Sequence, residues 1–97
     1  MPYELKLSPE VQVSIRAYVN ESVEYEYRLE VIGGIMRGLD SLAANPLQGL
    51  NHHSPGPPLF RFQVFAGDEV RRYLQVTFRF TEDENGIWIS SFGRVPF

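Results

Sequence analysis

The chain has 97 residues, 43% of them hydrophobic, which is enough for one compact core and too little for two, so residues 1–97 are expected to form a single domain. It contains no cysteine, which excludes a disulfide scaffold, a Cys-based zinc site and a cysteine nucleophile, and fits a reducing cytoplasm. No apolar run approaches the roughly 20 residues that cross a bilayer, Met1–Lys6 lacks the basic start and apolar stretch of a signal peptide, and a formal charge of −3 means that any nucleic-acid role must rest on a local patch.

Tyr3, Leu5 and Leu7 alternate with Glu4 and Lys6, which predicts a short half-buried strand. Ser8 is a good helix N-cap, Pro9 suits the first helical position, and Glu10 complements the positive helix end. The first helix is expected to run to about Val19, with Val11, Ile15 and Val19 as its buried stripe. Asn20-Glu21-Ser22 reads as a break, with Ser22 capping a second helix and Glu24 and Glu26 in its first turns. The stripe of that helix is Leu29, Ile32, Met36, Leu39 and Ala43, flanked by Ile35 and Leu42. Gly33-Gly34 falls in its middle at a cost of about 1 kcal/mol per glycine relative to alanine. Close packing against the first helix or the sheet would explain the pair; a break in the helix is the alternative. Asn45-Pro46 ends the helix, because the residue before proline disfavours the α region.

Residues 47–58 form a loop dominated by Gly49, Pro55, Gly56, Pro57 and Pro58. His52-His53 in that loop are adjacent, with no Cys or close acidic cluster to complete a metal site, and are taken as loop histidines. The remainder is sheet: a strand Leu59–Phe65, a turn Ala66–Glu69, a long strand Val70–Thr81, a hairpin turn over 82–86 signalled by Asn85-Gly86, and a last strand Ile87–Phe92. Glu82-Asp83-Glu84 fits a solvated hairpin tip, since no ligand spacing is present. The order is β-α-α-β-β-β. The fold class is α+β, a helical hairpin packed on one face of a small, mainly antiparallel sheet.

Alternation divides that sheet into two faces. Leu74, Val76, Phe78 and Phe80, with Phe60, Phe62, Val64, Ile87 and Ile89, belong under the helices. The uncovered face then carries Arg61, Gln63, Tyr73, Gln75, Arg79, Trp88, Phe92 and Arg94. From Leu59 onward there are five arginines and five acids, and all five acids fall in the two turns. The −3 therefore arises in the first 58 residues, with four basic and seven acidic side chains, and the open sheet face is expected to be locally positive. An arginine and aromatic face suits phosphate pairing and base stacking. An exposed antiparallel face also needs polar and β-forming residues for its own sake, and both readings stand.

Three stretches carry a resemblance over nearly the whole chain: Tyr3-Glu4-Leu5-Lys6-Leu7-Ser8-Pro9-Glu10, then Leu39 to Gly49 with its leucines before Asn45-Pro46, then Val76 to Phe80 followed by Ile87 to Arg94 with its closing Gly-Arg. In this order and spacing they resemble the RelE/ParE toxin superfamily. The resemblance implies the toxin component of a type II toxin–antitoxin pair, with a cognate antitoxin as partner, no membrane and no small-molecule cofactor. In the RNA-cutting branch it implies a metal-independent endoribonuclease acting on ribosome-bound mRNA, whose basic side chains polarise the scissile phosphate while a Tyr or His assists proton transfer. By position, Arg61 falls at a basic strand site and Arg94 at the basic site ending the last strand. Gln63 and Gln75 stand where basic residues are common, so Arg71, Arg72 or Arg79 would have to substitute. The C-terminal Tyr of many active members has no counterpart before Phe97, and Tyr73 is the only tyrosine on the open face. The candidate catalytic set is thus Arg61, Tyr73, Arg79 and Arg94. A ParE-like gyrase-directed toxin, or a non-catalytic protein-binding domain of the same fold, is the alternative.

Overall fold

A computed structural model describes residues 3–46, 58–66, 70–80 and 86–95. The predicted loop with the His52-His53 pair, most of the 66–69 turn, and Thr81 with the acidic hairpin tip lie outside the described residues. The elements are β1 (Glu4–Leu7), α1 (Pro9–Ser22), a 3-10 turn (Tyr25–Tyr27), α2 (Arg28–Ala44), β2 (Leu59–Ala66), β3 (Val70–Phe80) and β4 (Gly86–Arg94). This is the expected α+β order. The sheet runs β1-β4-β3-β2, with β1 parallel to β4 and the other two pairs antiparallel. Both helices cover one face, α1 over β4 and α2 over β2. Between them and the sheet lies one apolar cluster, centred on Phe78, Leu74, Ile35, Leu39, Ile87 and Ile89.

The start of α1 follows the sequence. Ser8 Oγ accepts from Val11 N–H at 3.2 Å, a cap worth about 1 kcal/mol. Val11 and Val19 are buried and Ile15 packs against the core. The end of α1 does not follow. The helix continues through Asn20-Glu21 to Ser22, so Ser22 closes α1 and does not cap α2. The cause is Arg28, which donates to the carbonyls of Asn20 (2.9 Å) and Val23 (3.3 Å) and so satisfies the free C-terminal end of α1 with a cation. Glu24 precedes the intervening 3-10 turn and Glu26 lies within it.

The stripe on α2 is also corrected. Leu39, Ala43, Ile35 and Leu42 are buried as expected, but Leu29, Ile32 and Met36 are exposed at 84%, 41% and 45%. The buried face is Val31, Gly34, Ile35, Leu39, Leu42 and Ala43. Two glycines one turn apart select this phase. A Cβ on Gly34 would lie 2.5 Å from Val64 Cγ1, and one on Gly38 2.5 Å from the Phe62 ring. The helix backbone therefore rests directly on β2. Close packing on the sheet, not a break, accounts for Gly34.

Along β3 the alternation holds: Leu74, Val76 and Phe78 are fully buried. Phe80 lies at the margin, 42% exposed, with its ring 5.8 Å from that of Tyr3. In β4 the alternation fails at one place. Phe78 pairs with Ile89 but Thr77 pairs with Ser91, so Ser90 is an extra residue in a bulge. One inserted residue turns every later side chain to the other face. Phe92, opposite Val76, therefore faces the helices, where its ring meets Tyr18 edge-on at 5.8 Å. Arg94, opposite Leu74, turns the same way. Neither lies on the open face to which simple alternation assigns them; Ser91 and Gly93 take those places.

Candidate functional site

The pairing of β3 with β4 ends at Leu74 and Arg94, with one further bond from Val95 N–H to the Tyr73 carbonyl at 3.0 Å. Arg71, Arg72 and Tyr73 thus lie where β4 runs out, and side chains from both sheet faces reach the same corner. The C-terminal turn of α1 closes it from the helix side. The result is a hollow of about 460 Å³ lined by Tyr18 and Ser22 of α1, Arg71, Arg72 and Tyr73 of β3, and Arg94 and Val95. A second hollow of about 470 Å³ lies on the open-face side, lined by Arg61, Phe62, Gln63, Tyr73 and Val95. Tyr73 and Val95 are common to both, so the two form one cleft around Tyr73.

The guanidinium groups differ in their surroundings. Arg72 is mostly buried; its Nη2 donates to Glu24 Oε2 at 2.8 Å, while its Nη1 is shielded from solvent without a hydrogen-bond partner. Arg71 is exposed and lies over the Phe65 ring at 5.6 Å. Arg94 is exposed. Arg61 Nε donates to Gln75 Oε1 across the β2–β3 pair at 3.3 Å, so the glutamine orients that arginine.

Burial raises the pKa of the Tyr18 phenol, and the positive charges of Arg72 and Arg94 beside it, with a hydrogen bond from Arg72, only partly oppose that. Tyr18 is therefore a neutral hydrogen-bond donor at physiological pH. Glu24 is held below the usual carboxylate range, first by its own backbone N–H and then by Arg72. A lowered folded-state pKa means that its stabilising effect is complete above the unfolded carboxylate value and is lost as pH falls through the folded value. The urea midpoint of the wild type is expected to exceed that of Glu24→Gln at neutral pH, and the gap should close on acidification below about pH 4. A gap independent of pH would rule out the ion pair as its source.

Of the four candidate residues, Arg61, Tyr73 and Arg94 converge on this cleft, although Arg94 arrives from the helix side. Arg79 does not join them. It is six residues along β3 from Tyr73, about 20 Å at 3.3 Å per residue. Tyr18 was not singled out from the sequence, although its seven-residue spacing from Val11 puts it on the buried flank of α1.

This arrangement can be set beside known proteins. No protein-family profile matches the chain, and no curated protein matches it. Among solved structures it is similar to an Arg-to-Ala double mutant of the Escherichia coli toxin RelE in the free state, with a TM-score of 0.59 and 10% sequence identity over 97% of this chain and 84% of that one. The chain therefore has a RelE-like fold. Among the described residues no helix is long and apolar enough to cross a membrane.

Proposed function

We propose that the chain is the toxin of a type II toxin–antitoxin pair and acts as a metal-independent endoribonuclease on ribosome-bound mRNA. The observation that carries this reading is the convergence of Arg71, Arg72 and Arg94 with Tyr18 and Tyr73 in one hollow. A phosphodiester in this hollow meets three positive charges. These stabilise the extra negative charge that develops when the neighbouring 2′ oxygen attacks phosphorus. As the P–O5′ bond breaks, the leaving oxygen takes a proton from Tyr73, and the 2′-hydroxyl proton passes to water. Tyr18, kept neutral, donates a hydrogen bond to a non-bridging oxygen. Arg61 holds the next phosphate on the open-face side of Tyr73. The expected partner is an antitoxin protein. The work place is the cytoplasm, where translating ribosomes are found.

A second reading is favoured by a separate observation. Tyr25, Leu29, Ile32 and Met36 form an exposed apolar stripe before and along α2, as a protein-binding surface would. On that reading the domain holds a protein partner, or acts as a ParE-like inhibitor of gyrase, without cutting RNA.

Induced expression in a bacterial host separates these. Growth arrest with mRNA cleavage, relieved by co-expressing the product of a small adjacent gene, is the expected result. Arrest with intact mRNA and inhibited DNA supercoiling would favour the gyrase reading. Absence of both arrest and cleavage would leave only the binding domain.

A further inference from the structure

Arg79 lies too far from Tyr73 to touch the same phosphate, yet it is part of a second cationic and aromatic group. Trp88 of β4 is flanked in register by Arg79 of β3 and Lys6 of β1. All three point to the open face, because Leu5, Leu7, Ile87, Ile89 and Phe78 take the other side. The Arg79 guanidinium carbon is 5.7 Å from the Trp88 ring centre. Arg79 is exposed, while Trp88 and Lys6 are half-buried. Between this row and the cleft lies a neutral stretch, where Thr77 Oγ1 is 2.9 Å from Ser90 Oγ and 2.6 Å from Ser91 Oγ. Next come Arg61 and Gln75, and then Tyr73. Strands β2, β3 and β4 contain no Asp or Glu, and the sheet's one carboxylate is Glu4 in β1.

We propose that the Lys6–Trp88–Arg79 row is a second nucleotide subsite, which holds single-stranded RNA about 20 Å from the cleft by base stacking and phosphate pairing. This rests on the endoribonuclease reading and extends it. A strand lying along β3 meets a cation at each end and hydroxyl and amide groups between; the sheet's one carboxylate, Glu4, lies beside Lys6 on β1, two strands away from β3. The Trp88 ring and the Arg79 guanidinium plane offer flat, sequence-tolerant surfaces to a base, and Lys6 offers a point charge to a phosphate. Arg79 is then a substrate-holding residue, not a member of the catalytic group.

Trp88 is the only tryptophan in the chain, so its emission reports on this subsite alone. The full chain is titrated with a fluorescently labelled uridine-rich RNA of about eight nucleotides, a length in the range bound by single-strand sites, at low and at high salt. Binding is followed by the RNA's anisotropy and, in parallel with unlabelled RNA, by Trp88 emission. The expected result is quenching that saturates with the anisotropy, weakens with salt, and needs about tenfold more RNA in Arg79→Ala. On translating ribosomes the same variant should raise KM and spare kcat. Two results would overturn the subsite: RNA binding with unchanged Trp88 emission and a neutral Arg79→Ala, or no RNA binding at all. Quenching by an acidic peptide but not by RNA would overturn it too, and would mark the face as protein-binding. The endoribonuclease reading fails separately, if mRNA on translating ribosomes stays intact with the wild-type chain.

Discussion

Arg94→Ala is expected to reduce mRNA cleavage on translating ribosomes by about 100- to 1,000-fold, the usual loss when one preorganised partner of a developing oxyanion is removed. The bulge at Ser90 turns Arg94 to the helix side, into the hollow with Tyr18 and Arg72. It is exposed and ends its strand, so the substitution removes charge without opening the core, and the melting temperature should change little. Arg61→Ala should also impair cleavage, but less. Arg61 lies on the opposite side of Tyr73 and is already tied to Gln75. Equal losses would mean that both arginines hold the same phosphate, and an unaffected Arg94→Ala would remove this residue from the mechanism. Tyr73→Phe at unchanged stability separates proton donation from simple shape, since the ring is retained and only the hydroxyl is lost.

Gly34→Ala should destabilise the protein by about 1–3 kcal/mol, the cost of inserting a methyl group into a filled core. Helix propensity alone gives the opposite sign, because alanine is favoured over glycine by about 1 kcal/mol in a helix. The contact decides it: the new Cβ would lie 2.5 Å from Cγ1 of Val64, which is itself only 1% exposed and held in β2 against the core. Gly33→Ala is the control. Its Cβ would meet only the flexible end of Arg37, at 3.3 Å from Nη1, so it should be neutral or stabilise by up to about 1 kcal/mol. Urea unfolding of the two variants gives the contrast directly. A stable Gly34→Ala would mean that α2 can lift from β2 at little cost.

The residues behind both predictions differ in how far the sequence reveals them. The two faces of β3 can be read from Leu74, Val76 and Phe78 alone, since nothing interrupts the period of two. The N-cap at Ser8 and the stop at Asn45-Pro46 are local chemistry and are equally plain. The phase of α2 is not plain, because glycine carries no hydrophobic signal. Gly34 and Gly38 mark the buried face by what they lack, while Leu29, Ile32 and Met36 form a competing stripe. The end of α1 depends on Arg28, which reaches back eight residues to Asn20, beyond any local rule. The bulge at Ser90 has no mark in the sequence, as two consecutive serines fit either face. That single residue sends Arg94 away from the open face and toward Tyr18. The sequence offers Arg61, Tyr73, Arg79 and Arg94 as candidates on one face, but it does not show that Arg61 and Arg94 lie on opposite sides of Tyr73, nor that Arg79 is far from both hollows.

The most direct test is to incubate the purified chain with ribosomes translating a defined mRNA and to map the RNA ends. The expected outcome is new 3′ ends at ribosome-occupied positions, formed without added metal beyond what the ribosome requires and lost in Arg94→Ala. Intact mRNA under these conditions, from a wild-type chain that still arrests growth when expressed, would contradict the account and leave the cleft as a protein-binding or gyrase-directed surface.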